Sequence, residues 1–548
     1  MHALLRRAAM AGYGFRHWRP LAAMTNHPQA TQSAVLRDLL SANARTRFGR
    51  EHGFSSIRSH EEFAGRVPVQ TYETLRPYVE EQRQTGAAAL TAETPVFYAQ
   101  TSGTTGAPKY VPVTPSMLAL YKSEQALFSY LQHRACPEAF AGKALGIMGA
   151  AVEGRLDSGH AVGSVSGYLY QSLPRSVQSR FVVPPGVAGI TDYTLKYLVI
   201  LRLALAEENV TYLGAPNPST FLRLLELLNS HRDLLIRSLE TGTLDGVRDL
   251  DPSVREVIDG RLRAHPGRAA EIKRLPSLTY ASVWPRIRLL TTWTGGSCGI
   301  ALKSVRATLP PETTVMELGY QSTEFRGAFA VTAETPGGLP PFHHHFFEFV
   351  EEERWNAGSP KWLTLEELVP GPRYHVIVTT VAGLYRYFMN DLVEVTGFLG
   401  HTPLLRFVQK GKGVTSLTGE KLYEAQAIEA VQDSTGAHGV MTSFFLLVAD
   451  EDAAAYRLFI EVEAGVPSIA GELAVSVDRR LAELNLEYLG KRESGRLGPL
   501  SVGWLRPGTA AAFKAASIRA GQREGQFKPA ILQYRKDLPV SIEDWVRP

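Results

Sequence analysis

Residues 95–114, PVFYAQTSGTTGAPKYVPVT, set a loop of glycines and hydroxyls between two apolar runs, and this order constrains the fold more than any other stretch. The runs PVFYA and YVPVT read as strands. Between them lie Thr101, Ser102, Gly103, Thr104, Thr105, Gly106 and Lys109. The glycines let the backbone turn tightly and approach an anion, while the hydroxyls and backbone N–H groups can surround phosphate oxygens, and Lys109 adds positive charge. The G-x-x-x-x-G-K-[ST] spacing of the common nucleotide loop is absent, and a strand follows instead of a helix. A polar hairpin loop is the alternative. The order, the spacing and the flanking strands favour an anion cradle.

Around this loop, strand-like runs alternate with helical spacing. Pro95–Tyr98, Ala144–Gly149, Val210–Gly214 and Ile287–Thr292 read as buried strands, and Met117–His133 and Pro218–Arg232 as helices. That alternation predicts a layered α/β body with a largely parallel sheet. Glu348–Glu351 and Tyr374–Thr380 begin a strand-rich portion. Two glycines and two lysines in Gln409-Lys410-Gly411-Lys412-Gly413 mark a hinge. Beyond it come a helix starting near Glu420, the strands SFFLLVAD, YRLFIEVEA and LGPLSVGWL, and a long amphipathic helix over Ala470–Leu489. The expected division is a large domain over 1–408, the hinge over 409–413 and a smaller α+β domain over 414–548.

Composition excludes several classes. With 58 basic and 54 acidic side chains the formal charge is +4, too mild to argue for nucleic acid or a membrane surface. Cys136 and Cys298 leave room for one bridge but no disulfide framework, which points to a reducing compartment. The opening MHALLRRAAMAGYGFRHWRPLAAM is basic without an acidic residue, but Arg6, Arg7, Arg16 and Arg19 interrupt every apolar run. It is read as a basic amphipathic helix packed on the domain and not as a signal peptide. No apolar stretch has the length of a membrane span, so a cytoplasmic protein is expected; separately, a monomer is expected.

The loop resembles the phosphate-binding motif of the adenylate-forming superfamily, which includes acyl-CoA synthetases, peptide-synthetase adenylation domains and firefly luciferase. The runs ANARTRFGREHGF, FAGRVPVQTYETLRPYVE, GLYRYFMNDLVEVTGF, LAELNLEYLGKRESGRLGPL and GQFKPAIL are similar to the auxin-responsive family of acyl acid–amido synthetases, from about residue 34 to about 535. The resemblance implies an α/β fold: a large layered N-terminal domain with mixed and parallel sheets, and a smaller mobile α+β C-terminal domain. It also implies ATP and Mg²⁺, a small-molecule carboxylic acid activated as acyl-AMP, and an amino acid as the amine acceptor. An acyl-CoA ligase and a non-catalytic acyl- or nucleotide-binding relative are the alternatives.

Acyl-adenylate formation brings a carboxylate to the α-phosphate, so the site needs a divalent cation and fixed positive charge. Gly319-Tyr320-Gln321-Ser322-Thr323-Glu324 follows the strand-like TTVMEL and resembles the superfamily's Tyr-x-Ser-(Ser/Thr)-Glu motif. By that match Tyr320 packs on adenine, Thr323 meets the α-phosphate and Glu324 binds Mg²⁺. Asp391 is placed to accept hydrogen bonds from a ribose diol. The family carries an Arg and a Gly before this Asp, where the chain has Phe388 and Asn390. Asn390 tolerates the positive φ that Gly would supply. Lys528, in a Gln-aromatic-Lys match, would neutralise the charge developing between carboxylate and α-phosphate. Gly296 and Ser297, after Thr294-Gly295, are expected beside the adenine, with a simple tight turn as the alternative.

His343-His344-His345 with Glu348 invites a metal reading. Three adjacent imidazoles on a strand alternate faces, however, and no HExxH or Cys/His spacing accompanies them. The resemblance places this stretch near an acyl pocket, with His343 or His345 as a specificity residue and Phe347-Glu348-Phe349 as a strand.

Overall fold

A computed structural model describes residues 2–101, 109–295, 298–411, 413–440, 442, 444–462, 468–519 and 531–547. They gather into two compact units, one of Met1–Gln100 with Tyr110–Gln409, the other of Lys410–Pro548 with Thr101–Lys109. In chain order the strands begin with β1 (Phe97–Thr101), β2 (Lys109–Val113), β3 (Lys143–Gly146), β4 (Gly154–Arg155), β5 (Ala161–Gly163) and β6 (Val210–Gly214). They continue with β7 (Leu289–Thr292), β8 (Thr314–Glu317), β9 (Phe346–Glu351), β10 (Arg373–Thr379), β11 (Tyr387–Leu399) and β12 (Thr402–Lys410).

The sheet β3-β6-β7-β8 is parallel at every pairing. Every residue of β7 is buried, as a parallel strand covered on both faces requires. Leu213 and Leu290 of this sheet share one core with Leu198 and Leu201 of the helix Tyr193–Leu205 and with Leu224 and Leu228 of the helix Ser219–Ser230. Buried Trp284 ties this layer together, its indole N–H donating to the carbonyls of Ala204 and Glu207. A second sheet, β2-β1-β5-β4, pairs β1 with β5 in parallel and β4 with β5 antiparallel. The third, β12-β11-β10-β9, is antiparallel between β9 and β10 and between β10 and β11. The α/β class with mixed and parallel sheets is therefore the observed one.

The helix Pro115–Ala135 follows β2 directly. Thr114 caps it by accepting from the Met117 N–H, and Pro115 supplies a pre-set first turn. The stripe Met117, Tyr121, Glu124, Phe128 and Leu131 faces inward at intervals of three and four. Against this helix packs the basic N-terminal segment, a helix His2–Tyr13, a π-turn Gly14–Trp18 and a helix Arg19–Met24. Ser123 and His17 lie 3.0 Å apart, and Arg134 stacks over Trp18. Among the described residues no helix is long and apolar enough to cross a membrane. Cys136 is a buried thiol outside any disulfide.

The second unit contains β13 (Val414–Thr415), β14 (Leu422–Tyr423), β15 (Phe445–Asp450), β16 (Ala455–Glu461), β17 (Ser501–Leu505) and β18 (Leu532–Tyr534). Its main sheet runs β17-β16-β15-β18 and shares a core with the helices Glu424–Ala437 and Ala470–Leu484. Three expected helices need correction. The helix expected near Glu420 begins at Glu424, because the fully buried Glu420 accepts from the N–H groups of Leu417 and Thr418 and from the Tyr456 hydroxyl. The single helix expected over Ala470–Leu489 is two. Asn485 is extended and caps a new helix, Leu486–Glu493, by accepting from the Tyr488 N–H. Likewise, the helix expected over Pro218–Arg232 ends at Ser230, and another, Arg232–Thr241, follows.

Candidate functional site

Two strand ends of the parallel sheet are joined by one carboxylate. Glu317, at the end of β8, accepts from the Thr294 N–H at 2.7 Å through Oε2 and from the Gly319 N–H at 2.9 Å through Oε1. The Trp293 indole donates to the Gly319 carbonyl. The residues leaving β7 are thus fixed beside the turn that leaves β8. Gly319 takes a φ of 100°, a region an L-residue avoids, and the Tyr320 that follows it is buried. The chain then folds back on itself: Gly327 and Ala328 donate their N–H groups to the Tyr320 carbonyl, and Gln321 bridges Arg326. A methyl group at Gly327 would strike the Tyr320 ring, so glycine is required there.

This turn brings separately recognised sequence motifs together. The Tyr320 hydroxyl donates to Asp391 Oδ2 at 2.5 Å, across 71 residues of sequence. Burial, then the charge and the hydrogen bond of Asp391, raise the Tyr320 hydroxyl well above its usual range, so it stays protonated and donates. The ring stacks on Phe407 and meets Phe325 edge-on. Glu324, buried, sits on the same turn, with Thr323 half-buried beside it.

Asp391 lies on β11, not on a helix or turn end. Asn390 has a φ of 50°, the left-handed conformation expected for it in place of glycine. Phe388, where the family carries an arginine, stacks on Trp355 with centroids 4.4 Å apart and tilts against His375. Burial pushes His375 down to about 4, with the Asp391 charge acting in the opposite direction. An aromatic contact therefore stands where the family has a charge.

The histidines expected on a strand lie instead in a turn ahead of β9, because the carbonyls of Phe342 and His345 are held by the buried Gln32 amide. They do not converge. His344 Nδ1 lies 3.0 Å from Glu124 Oε1, the His343 ring lies tilted against that of His344, and His345 packs edge-on against Phe325. Burial pushes His345 down to about 4 and His343 well below its usual range. Glu348 is not among them either: it is held by Arg386 and by His60.

Of the remaining expected residues, Thr101 ends β1 and the buried Lys109 opens β2. Ser102, Gly103, Thr104, Thr105, Gly106, Gly296, Ser297, Lys528 and the hinge lysine Lys412 lie outside the described residues. The motif-based reading missed Glu317, Arg326 and Glu124. Glu124 carried a signal: it is an acidic residue on an otherwise apolar helical stripe.

Three family models match the chain: the GH3 family N-terminal domain over residues 18–313, the central domain over 339–410 and the C-terminal domain over 425–536. The indole-3-acetic acid-amido synthetase GH3.15 of Arabidopsis thaliana is 26% identical over 546 residues, covering 92% of this chain and 90% of its own. The indole-3-acetic acid-amido synthetase GH3.8 of Oryza sativa subsp. indica is 26% identical over 541 residues, with 92% and 88% covered. Among solved structures, the GH3.15 acyl acid amido synthetase superposes with a TM-score of 0.64 at 23% identity, across 96% of this chain and 95% of its own. A 2-hydroxyisobutyryl-CoA ligase in complex with 2-HIB-AMP and CoA does so with a TM-score of 0.54 at 14% identity, across 95% and 93%. These two likenesses show a shared fold.

Proposed function

The chain belongs to the GH3 family, and on that premise we propose that it is an ATP-dependent acyl acid–amido synthetase, a cytoplasmic monomer. In the first half-reaction a carboxylate oxygen of the acid attacks the α-phosphorus of ATP and pyrophosphate leaves. In the second, the nitrogen of an amino acid attacks the acyl carbon, loses a proton and displaces AMP. The observation that carries this reading is the buried 2.5 Å contact between Tyr320 and Asp391, with Glu324 on the same turn.

Each residue has an assigned role. Thr101, Ser102, Gly103, Thr104, Thr105, Gly106 and Lys109 hold the phosphates that leave. Tyr320, Gly296 and Ser297 border the adenine, and Asp391, oriented by Tyr320, accepts from the ribose hydroxyls. Thr323 meets the α-phosphate. Glu324, a hard oxygen donor held in the interior, fits Mg²⁺, which would neutralise phosphate charge when bound. Lys528 offsets the charge that builds between the two reacting anions. The segment 409–413 serves as the hinge between a domain over 1–408 and a domain over 414–548.

Acid-dependent exchange of pyrophosphate into ATP tests the first half-reaction, and mass spectrometry of products with amino acids or CoA tests the second. Exchange and an amide product are expected. A thioester product instead of an amide would reassign the chain to the acyl-CoA ligases. Lys528→Ala is expected to slow adenylation about 100-fold while ATP affinity changes little. Equal losses in both would remove Lys528 from the chemistry.

A further inference from the structure

The turn that carries Tyr320 and Glu324 also carries a buried cation. Arg326 is 8% exposed and faces Glu124, 2% exposed, on the helix Pro115–Ala135. The approach is loose. Arg326 Nε lies 3.7 Å from Glu124 Oε2, beyond hydrogen-bonding distance. Arg326 Nε and Nη1 and Glu124 Oε2 have no hydrogen-bond partner among the described residues. Glu124 Oε1 is already taken by His344. Burial opposes ionisation of Glu124, yet the His344 contact and the Arg326 charge outweigh it and hold the carboxyl below its usual range. Buried Tyr121, one helical turn earlier, feels the charges of Glu124, Arg326 and Glu324 together, so the loose pair borders the neighbourhood of the proposed metal carboxylate.

Native interiors leave few such groups unmet, and an unmet donor beside an unmet acceptor defines what fills the gap. The partner has to accept from a guanidinium and donate to a carboxylate. A hydroxyl does both. A second carboxylate would satisfy Arg326 but meet the like charge of Glu124, and a hydrocarbon would leave all three atoms unmet.

We propose that the acyl acid selected by this chain carries a hydroxyl group, received between the Arg326 guanidinium and the Glu124 carboxylate. This rests on the adenylating function proposed above. The pair thereby sets specificity: an acid lacking the hydroxyl leaves buried donors and an acceptor unpaired.

Pyrophosphate exchange with matched acids tests it. One set is benzoate, 3- and 4-hydroxybenzoate and terephthalate; the other is hexanoate, 3- and 6-hydroxyhexanoate and adipate. In at least one set a hydroxylated acid is expected to exceed both its parent and the diacid by about tenfold or more in kcat/KM. In Arg326→Met, in Glu124→Leu and in the double variant that ratio is expected to fall to within about twofold. The double variant exchanges the pair for hydrocarbon of similar volume, which the interior tolerates, so the ratio is measured on folded protein. Parent acids that equal the hydroxylated ones, as a water-filled gap would give, overturn the inference, as does a preference that survives in the double variant. Exchange without preference overturns this inference alone. No exchange with any acid overturns the adenylating function and this inference with it.

Discussion

Arg386 meets Glu348 with its Nε 3.0 and 3.1 Å from the two carboxylate oxygens, whereas Arg326 stays 3.7 Å from Glu124. Both pairs are buried in the first unit, and both carboxylates also face a histidine, His60 in one case and His344 in the other. The first pair is hydrogen-bonded through Nε, with Arg386 Nη2 a further 2.9 Å from Glu348 Oε1. Arg386 Nη1 donates to the carbonyls of Ala64 and Val67, and the guanidinium lies over the Trp362 ring. It thereby fastens the N-terminal helices to β9 and to the start of β11. The second pair keeps donors and an acceptor in reserve beside the turn of Tyr320 and Glu324. The same two residue types serve as a rivet in one place and as an open receptor in the other, and only the surrounding hydrogen bonds distinguish them.

The largest effect belongs to the pair of Arg386 and Glu348. Glu348→Ala leaves a buried guanidinium uncompensated and is expected to cost about 3–5 kcal/mol of stability in urea unfolding. Glu124→Ala, removing a loosely met partner, is expected to cost only about 1–3 kcal/mol. Equal losses would end the distinction between rivet and receptor. Next in size is Asp391→Ala, expected to lower kcat/KM for ATP about 10- to 100-fold, with Tyr320→Phe near the lower end of that range. A matching fall in melting temperature would assign Asp391 to the scaffold with Glu348. A last effect is on pH dependence. His345 and His375 are held near 4 when folded against 6.5 as free groups, so between those values the unfolded chain binds more protons. Their contribution is fully present above pH 6.5 and is lost as pH falls toward 4, with a slope of up to about 1.4 kcal/mol per pH unit for each. His345→Phe and His375→Phe are expected to flatten the curve in that window, read as urea midpoints from pH 4 to 7.

Local rules made much of this legible. Alternating apolar runs marked β6, β7 and β10 to within about two residues, because buried strands need continuous hydrophobic sequence. The positive φ of Asn390 was legible too, since asparagine is one of the few side chains that accept it. What periodicity does not encode is pairing across distance. Arg386 with Glu348, Tyr320 with Asp391 and Arg326 with Glu124 are each set by how sheets and helices stack, not by any spacing along the chain. The break at Asn485 was missed for a different reason. Its neighbours keep helical hydrophobic spacing on both sides, and only the cap that it forms reveals the interruption.

Gly327 carries a consequence for how such a site can change over generations. Any side chain there collides with the Tyr320 ring, so a single substitution at 327 would turn the tyrosine away from Asp391 in the same step. Position 327 is therefore tied to position 320: a side chain at 327 requires the tyrosine ring to move or be lost, whereas the tyrosine can be replaced with Gly327 kept. The acid-selecting pair a residue away is under no such bond. Arg326 can drift independently of the nucleotide contacts, which leaves substrate choice free to diversify on a fixed adenylating frame.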